Sequence, residues 1–187
     1  MTNQVNKIIL ASTSPRRKEL LEREGIDFII DASSIDEVMD NTLPIPQRFI
    51  SLAVDKATPI HQKYPHDIVI GADTIVYFNN QIIGKAKNEK EARHILEMLS
   101  GNKHTVYTAV AIYFGSQLQT FVETTDVYFK DIHGMLDEYL HSGEWQGKAG
   151  AYGIQGLADC FVDHVDGDID NVIGLPVSKV IAMLNDY

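Results

Sequence analysis

The chain has 187 residues, 44% of them hydrophobic, and carries 26 Asp and Glu against 16 Lys and Arg, a formal net charge of −10. That length suggests one domain over residues 1–187, with enough apolar material for a sizeable core and room for two lobes, and so acidic a chain is a poor binder of nucleic-acid polymer or anionic membrane. Cys160 is the single cysteine, which excludes an intramolecular disulfide and a cysteine-pair metal site and fits a reducing compartment. The N-terminal MTNQVNKIIL lacks a signal-peptide pattern, and no apolar run approaches the ~18 residues of a spanning helix, so the expected location is the cytoplasm.

In chain order, the apolar run at 7–11 predicts a buried strand. Residues 15–24 predict a helix, with Ser14 as cap, Pro15 at the first helical position and Gly25 as its stop. A strand follows at 27–30. From Pro46, the residues Phe49, Leu52, Ala53, Lys56, Ala57 and Ile60 recur at helical spacing, and Pro59 threatens the last turn. Residues 67–71 and 74–78 read as two strands, Asn79-Asn80 as a tight turn and 81–84 as the return strand. Asn88 with Glu91 resembles a capping box for a helix through Leu99, which Gly101 ends. Strands at 104–114 and 118–130 flank a turn at Gly115-Ser116. A short helix near 135–141, a glycine-rich loop at 143–156, a strand near 160–165 and a closing helix at 176–184 complete an α/β chain with a mixed sheet.

Arg16 and Arg17 fall in the first turn of their helix, whose positive end disfavours a cation by roughly 0.3–1 kcal/mol unless an anion answers it. Surface carboxylates could serve; so could a bound anion. In VIGADTIV, an apolar run reaches Asp73 past Gly71 and Ala72, residues too small to block a ligand; the alternative is an aspartate that makes a turn. Glu37 lies in an acidic cluster with Asp36 and Asp40, usually a solvated surface, although carboxylates from separate segments can hold Mg²⁺ with substrate phosphates. The loop GEWQGKAGAYGIQG is either a flexible surface segment or a ligand-facing wall with Lys148, Gln155 and its aromatics. No P-loop and no G-x-G-x-x-G occurs, and the seven histidines lack metal-ligand spacing.

Ser12-x-Ser14-Pro15-Arg16-Arg17, Ile35-Asp36-Glu37, Lys56 in VDKA, GADT at 71–74, Gly84-Lys85, SGNKHTVYTAV at 100–110, KAGAYGIQG at 148–156 and NVIGLP at 171–176 follow one another along nearly the whole chain. Together they resemble the Maf family of nucleoside triphosphate pyrophosphatases, once named for inhibition of septum formation, and within it the branch acting on dTTP and UTP. Ala86 stands where the family usually has proline, which should loosen the turn at Lys85.

The resemblance implies two α/β lobes around a deep cleft, a fold like that of inosine triphosphate pyrophosphatases, a homodimer, and cleavage between the α and β phosphates. Ser12, Ser14, Arg16, Arg17, Lys56, Lys85 and Gln155 would bind the nucleoside triphosphate. Asp73 would be the general base, and Glu37 and Asp73 would share a divalent cation, Mg²⁺ or Mn²⁺. Arg16, Thr74 and Gln155 would set base preference. Two other readings accompany this one: a pyrophosphatase for modified purine nucleotides, which would clean the nucleotide pool, and a non-catalytic nucleotide-binding regulator of division.

Overall fold

The computed structural model describes residues 6–34 and 38–187. Strand β1 (Ile8–Leu10) leads into helix α1 (Pro15–Arg23), with Ser14 as the cap and Gly25 at φ +70° just beyond its end. β2 (Ile29–Ile30) pairs parallel with β1. Helix α2 runs Gln47–Lys63 and contains Pro59. Proline removes one backbone donor, but Phe49, Leu52, Ala53, Ala57 and Ile60 are all buried along one stripe, and this tertiary packing carries the helix through the threatened turn to Lys63.

The two strands expected at 67–71 and 74–78 are one, β3 (Ile68–Phe78), parallel to β1 with Leu10 opposite Ile70. Gly71 and Ala72 are buried in this strand instead of interrupting it. Asn79 and Asn80, at φ +49° and +60°, make the two-residue turn into the antiparallel β4 (Gln81–Ile83). Helix α3 (Glu89–Leu99) is capped by Asn88, which accepts from the Glu91 N–H at 2.9 Å, while the Glu91 carboxylate reaches back to the Lys87 N–H at 2.9 Å. β5 (Lys103–Phe114) and β6 (Gln117–Phe129) follow, then a 3₁₀ turn, helix α4 (Leu136–Ser142), a second 3₁₀ turn and β7 (Val162–Asp166), antiparallel to β6. A short helix α5 (Ile169–Ile173), absent from the sequence reading, precedes α6 (Val177–Asn185).

Among the described residues the strands form one mixed sheet of order β2-β1-β3-β5-β6-β7, with β4 on β3. The chain divides into two compact units. The first comprises the described residues of Met1–Asp73 with Thr108–Glu123 and Gly174–Tyr187; the second comprises Thr74–Tyr107 and Thr124–Ile173. Ile9, Leu21, Phe49, Ile70, Ile112 and Val180 build the core of the first, and Leu96, Leu99, Ile132, Leu136, Tyr139 and Phe161 that of the second. None of the described helices is long and apolar enough to cross a membrane.

Candidate active site

In the first unit the site grows out of the β1-to-α1 turn. The Ala11 N–H bonds the Ile70 carbonyl at 2.8 Å, so the chain leaves β1 alongside the first half of β3 and enters the turn at Ser12 at the carboxyl end of β1, the end at which open α/β sheets present their ligand sites. Ser14 accepts from the Arg17 N–H at 3.5 Å, and its own N–H donates to the Ser12 hydroxyl at 3.2 Å. The first turn of α1 holds no acidic residue. Arg17 is buried at 9% exposure; its Nε donates to the Gly174 carbonyl at 2.7 Å and one terminal nitrogen to Ser12 Oγ at 3.1 Å. Both of these acceptors are neutral, and together they fix the plane of the guanidinium. Arg16 beside it is partly exposed.

Asp73 is buried on β3 and ion-paired with Lys56 of α2. Gly71 makes that meeting possible. A Cβ there would stand 2.7 Å from the Ala53 carbonyl oxygen and 2.8 Å from Ala57 Cβ, so the helix lies directly on the strand. Gly71 therefore serves helix–strand packing, a role the sequence reading did not give it. Glu37, the other carboxylate assigned from the sequence, lies outside the described residues. Among the described residues no group of three or more His, Cys, Asp and Glu side chains gathers. A single enclosed carboxylate such as Asp73 suits a Mg²⁺-type ion, which takes one or two carboxylates and completes its shell with substrate phosphates and water.

The second unit carries Thr74, partly exposed on β3, and the exposed Lys85 and Gln155. Lys85 forms a β-bridge with Ala149, and the Gly150 N–H donates to the Gly84 carbonyl at 3.1 Å, so this segment is tied down although Ala86 replaces proline. The glycine-rich loop is packed. Trp145 is buried and donates to the Leu140 carbonyl at 3.2 Å, and Tyr152 is buried with its hydroxyl 2.7 Å from His104 Nε2. Both aromatics thus face the core and not a ligand, against the expectation of an aromatic wall. Lys148 donates to the Glu144 carbonyl, and the Glu144 carboxylate accepts from the Leu157 N–H at 2.9 Å.

The family model for Maf-like proteins matches residues 7–187. This chain belongs to the Maf-like family. It is 47% identical over 178 residues to a dTTP/UTP pyrophosphatase of Geobacillus sp. (strain WCH70), covering 95% of this chain and 96% of that protein. A dTTP/UTP pyrophosphatase of Bacillus anthracis is 43% identical over 184 residues, covering 98% and 96%. Among solved structures, a HAM1 protein from Coxiella burnetii matches 67% of this chain and 73% of its own at 17% identity, with a TM-score of 0.47, a likeness too slight to bear on function.

This Maf-like chain also holds groups to which the motifs assigned no role. The Gly174 carbonyl, at a residue with φ +139° that glycine alone adopts readily, grips Arg17 across 157 positions of sequence. Gly174 sits inside NVIGLP, so the signal was present, but nothing local in it points to an arginine. Asn171, fully buried, donates its amide to the Val106 carbonyl at 3.1 Å and to Thr125 Oγ1 at 3.0 Å. His104 and Tyr152, both inside quoted motifs, form the buried pair under the loop.

Proposed function

We propose that this Maf-like chain is a nucleoside triphosphate pyrophosphatase that hydrolyses dTTP and UTP to the nucleoside monophosphate and pyrophosphate. The observation that carries the reading is the near-full-length likeness, at 47% identity, to a relative bearing that activity's name. The chemistry of the site residues agrees with it. Arg17, held by Gly174 and Ser12, presents a fixed positive charge at a helix N-terminus, the place where oriented N–H groups and a guanidinium together favour phosphate. Arg16, Ser12 and Ser14 add donors to the same anion, and Lys56 and Lys85 add charge.

Asp73 serves as general base toward the attacking water: the water's oxygen joins phosphorus, its proton goes to the carboxylate, and pyrophosphate leaves. The ion pair with Lys56 supports this role by orienting the carboxylate on a rigid strand. A divalent cation, Mg²⁺ or Mn²⁺, held by Asp73 and Glu37, would neutralise phosphate charge as it develops. Thr74, Arg16 and Gln155 read the base: hydroxyl and amide each donate or accept, matching the O2, N3–H and O4 edge shared by thymine and uracil. A homodimer in the cytoplasm completes the reading, supported by the family resemblance and the single cysteine. The test is hydrolysis of a panel of nucleotides with the products identified.

A further inference from the structure

The loop that carries Gln155 rests on a buried pair, Tyr152 and His104. Tyr152 and His104 are 6% and 2% exposed, and their hydroxyl-to-Nε2 distance is 2.7 Å. Phe129 closes the cluster edge-on, its ring centroid 4.8 Å from each of theirs. Next to Tyr152, Ala151 is held at φ +59°, an uncommon conformation for a residue with a Cβ, and its carbonyl accepts from the Tyr139 hydroxyl at 3.1 Å. On one side of this anchor, Ala149 and Gly150 fix the backbone of Gly84 and Lys85. On the other side Gln155 follows three residues later.

His104 is an expensive residue for mere packing. Its Nδ1 is buried with no hydrogen-bond partner among the described residues, a cost that Leu or Phe would avoid. What the imidazole provides in return is the bond to Tyr152. We propose that His104 and Tyr152 are positioning residues for the nucleotide: their hydrogen bond sets the 148–156 loop, and through it both Lys85 and Gln155. The inference rests on the reading above, in which Lys85 binds phosphate and Gln155 reads the base.

The experiment uses the full chain and measures kcat and KM for dTTP and CTP, with thermal melting to verify folding, in Tyr152→Phe, His104→Leu, His104→Gln and Gln155→Ala. Tyr152→Phe removes only the hydroxyl, so it keeps the test open if His104→Leu fails to fold. Tyr152→Phe is expected to raise KM for dTTP at least ~5-fold, with kcat within about 2-fold, and to lower the dTTP-to-CTP ratio of kcat/KM at least ~3-fold. His104→Leu should do the same, and His104→Gln, which returns an amide near the place of Nε2, should recover most of the loss. A folded Tyr152→Phe protein with a lower melting temperature but wild-type KM and ratio overturns the proposal. If Gln155→Ala leaves the ratio unchanged while Tyr152→Phe raises KM, positioning through Lys85 stands and the base-reading role of Gln155 falls. If Gln155→Ala shifts the ratio and Tyr152→Phe shifts neither quantity, Gln155 keeps its role and the positioning falls.

Discussion

Lys56 of α2 and Asp73 of β3 form an ion pair whose side chains are only 19% and 10% exposed, set where Gly71 lets the helix touch the strand. A carboxylate so enclosed, with a cation against it, is held in one orientation. If it handles the proton of the attacking water, Asp73→Asn should lower kcat at least ~100-fold, the low end of what a general base contributes, and should also lower the melting temperature, because Lys56 loses its counter-charge. Glu37→Gln should raise the Mg²⁺ concentration needed for half-maximal rate. Steady-state kinetics of the folded variants check both.

Gly71→Ala tests the packing that creates the pair. The added methyl meets the Ala53 backbone, which cannot rotate away, so overpacking should destabilise the protein by about 1–3 kcal/mol. Denaturant unfolding should show this, and activity should fall as Lys56 and Asp73 are pushed apart. A fully stable Gly71→Ala protein would contradict the close approach.

Arg17→Lys keeps the charge and loses the fork. Lysine cannot bond the Gly174 carbonyl and Ser12 Oγ with one planar group, so a loss of about 1–3 kcal/mol in stability and a rise in KM for the triphosphate are expected. Arg16→Lys, at a partly exposed position, should cost less stability. Melting curves of the two variants, measured side by side, decide it.

The start of α1, the Asn79-Asn80 turn and the cap of α3 were legible because each is written within four residues of sequence. What was hidden depends on distance. Nothing in VDKA or GADT tells that Lys56 meets Asp73, because the meeting requires a helix laid on a strand at Gly71. Pro59 threatens the last turn of its helix until the buried stripe from Phe49 to Ile60 is seen to hold that turn in place. Likewise the glycine-rich stretch leaves a flexible surface segment and a ligand-facing wall both open, and only the core beneath Trp145 and Tyr152 shows that these aromatics are packed inward. The base-reading roles of Arg16 and Gln155 and the phosphate role of Lys85 come from the resemblance; Lys85 and Gln155 are exposed, Arg16 partly so, and Lys85 is tied to Ala149 by its bridge.

His104 makes stability depend on pH. Burial pushes its pKa from 6.5 down to about 4, so between those values the unfolded chain binds a proton that the folded chain refuses. The folded state keeps its full advantage above pH ~6.5 and loses it as pH falls, by a total of about 3 kcal/mol on approaching pH 4. Asp31, Asp40 and Asp131, whose carboxyls are held below their ordinary value by hydrogen bonds from Lys63, Thr42 and His133, begin to lose their contribution only below about pH 5, at the lower end of this range. Urea midpoints from pH 7 to 4.5 should fall more steeply for the natural protein than for His104→Gln.

The identity of the bond cut tests the account most directly. Purified protein with Mg²⁺ or Mn²⁺ should convert dTTP and UTP to dTMP and UMP with pyrophosphate as the co-product. Its kcat/KM should exceed that for CTP, ATP and GTP at least ~10-fold, since each buried group left unpaired by the wrong base costs about 1–3 kcal/mol. Chromatography that finds nucleoside diphosphate and orthophosphate as first products, or no turnover of any nucleotide by folded protein, would contradict it.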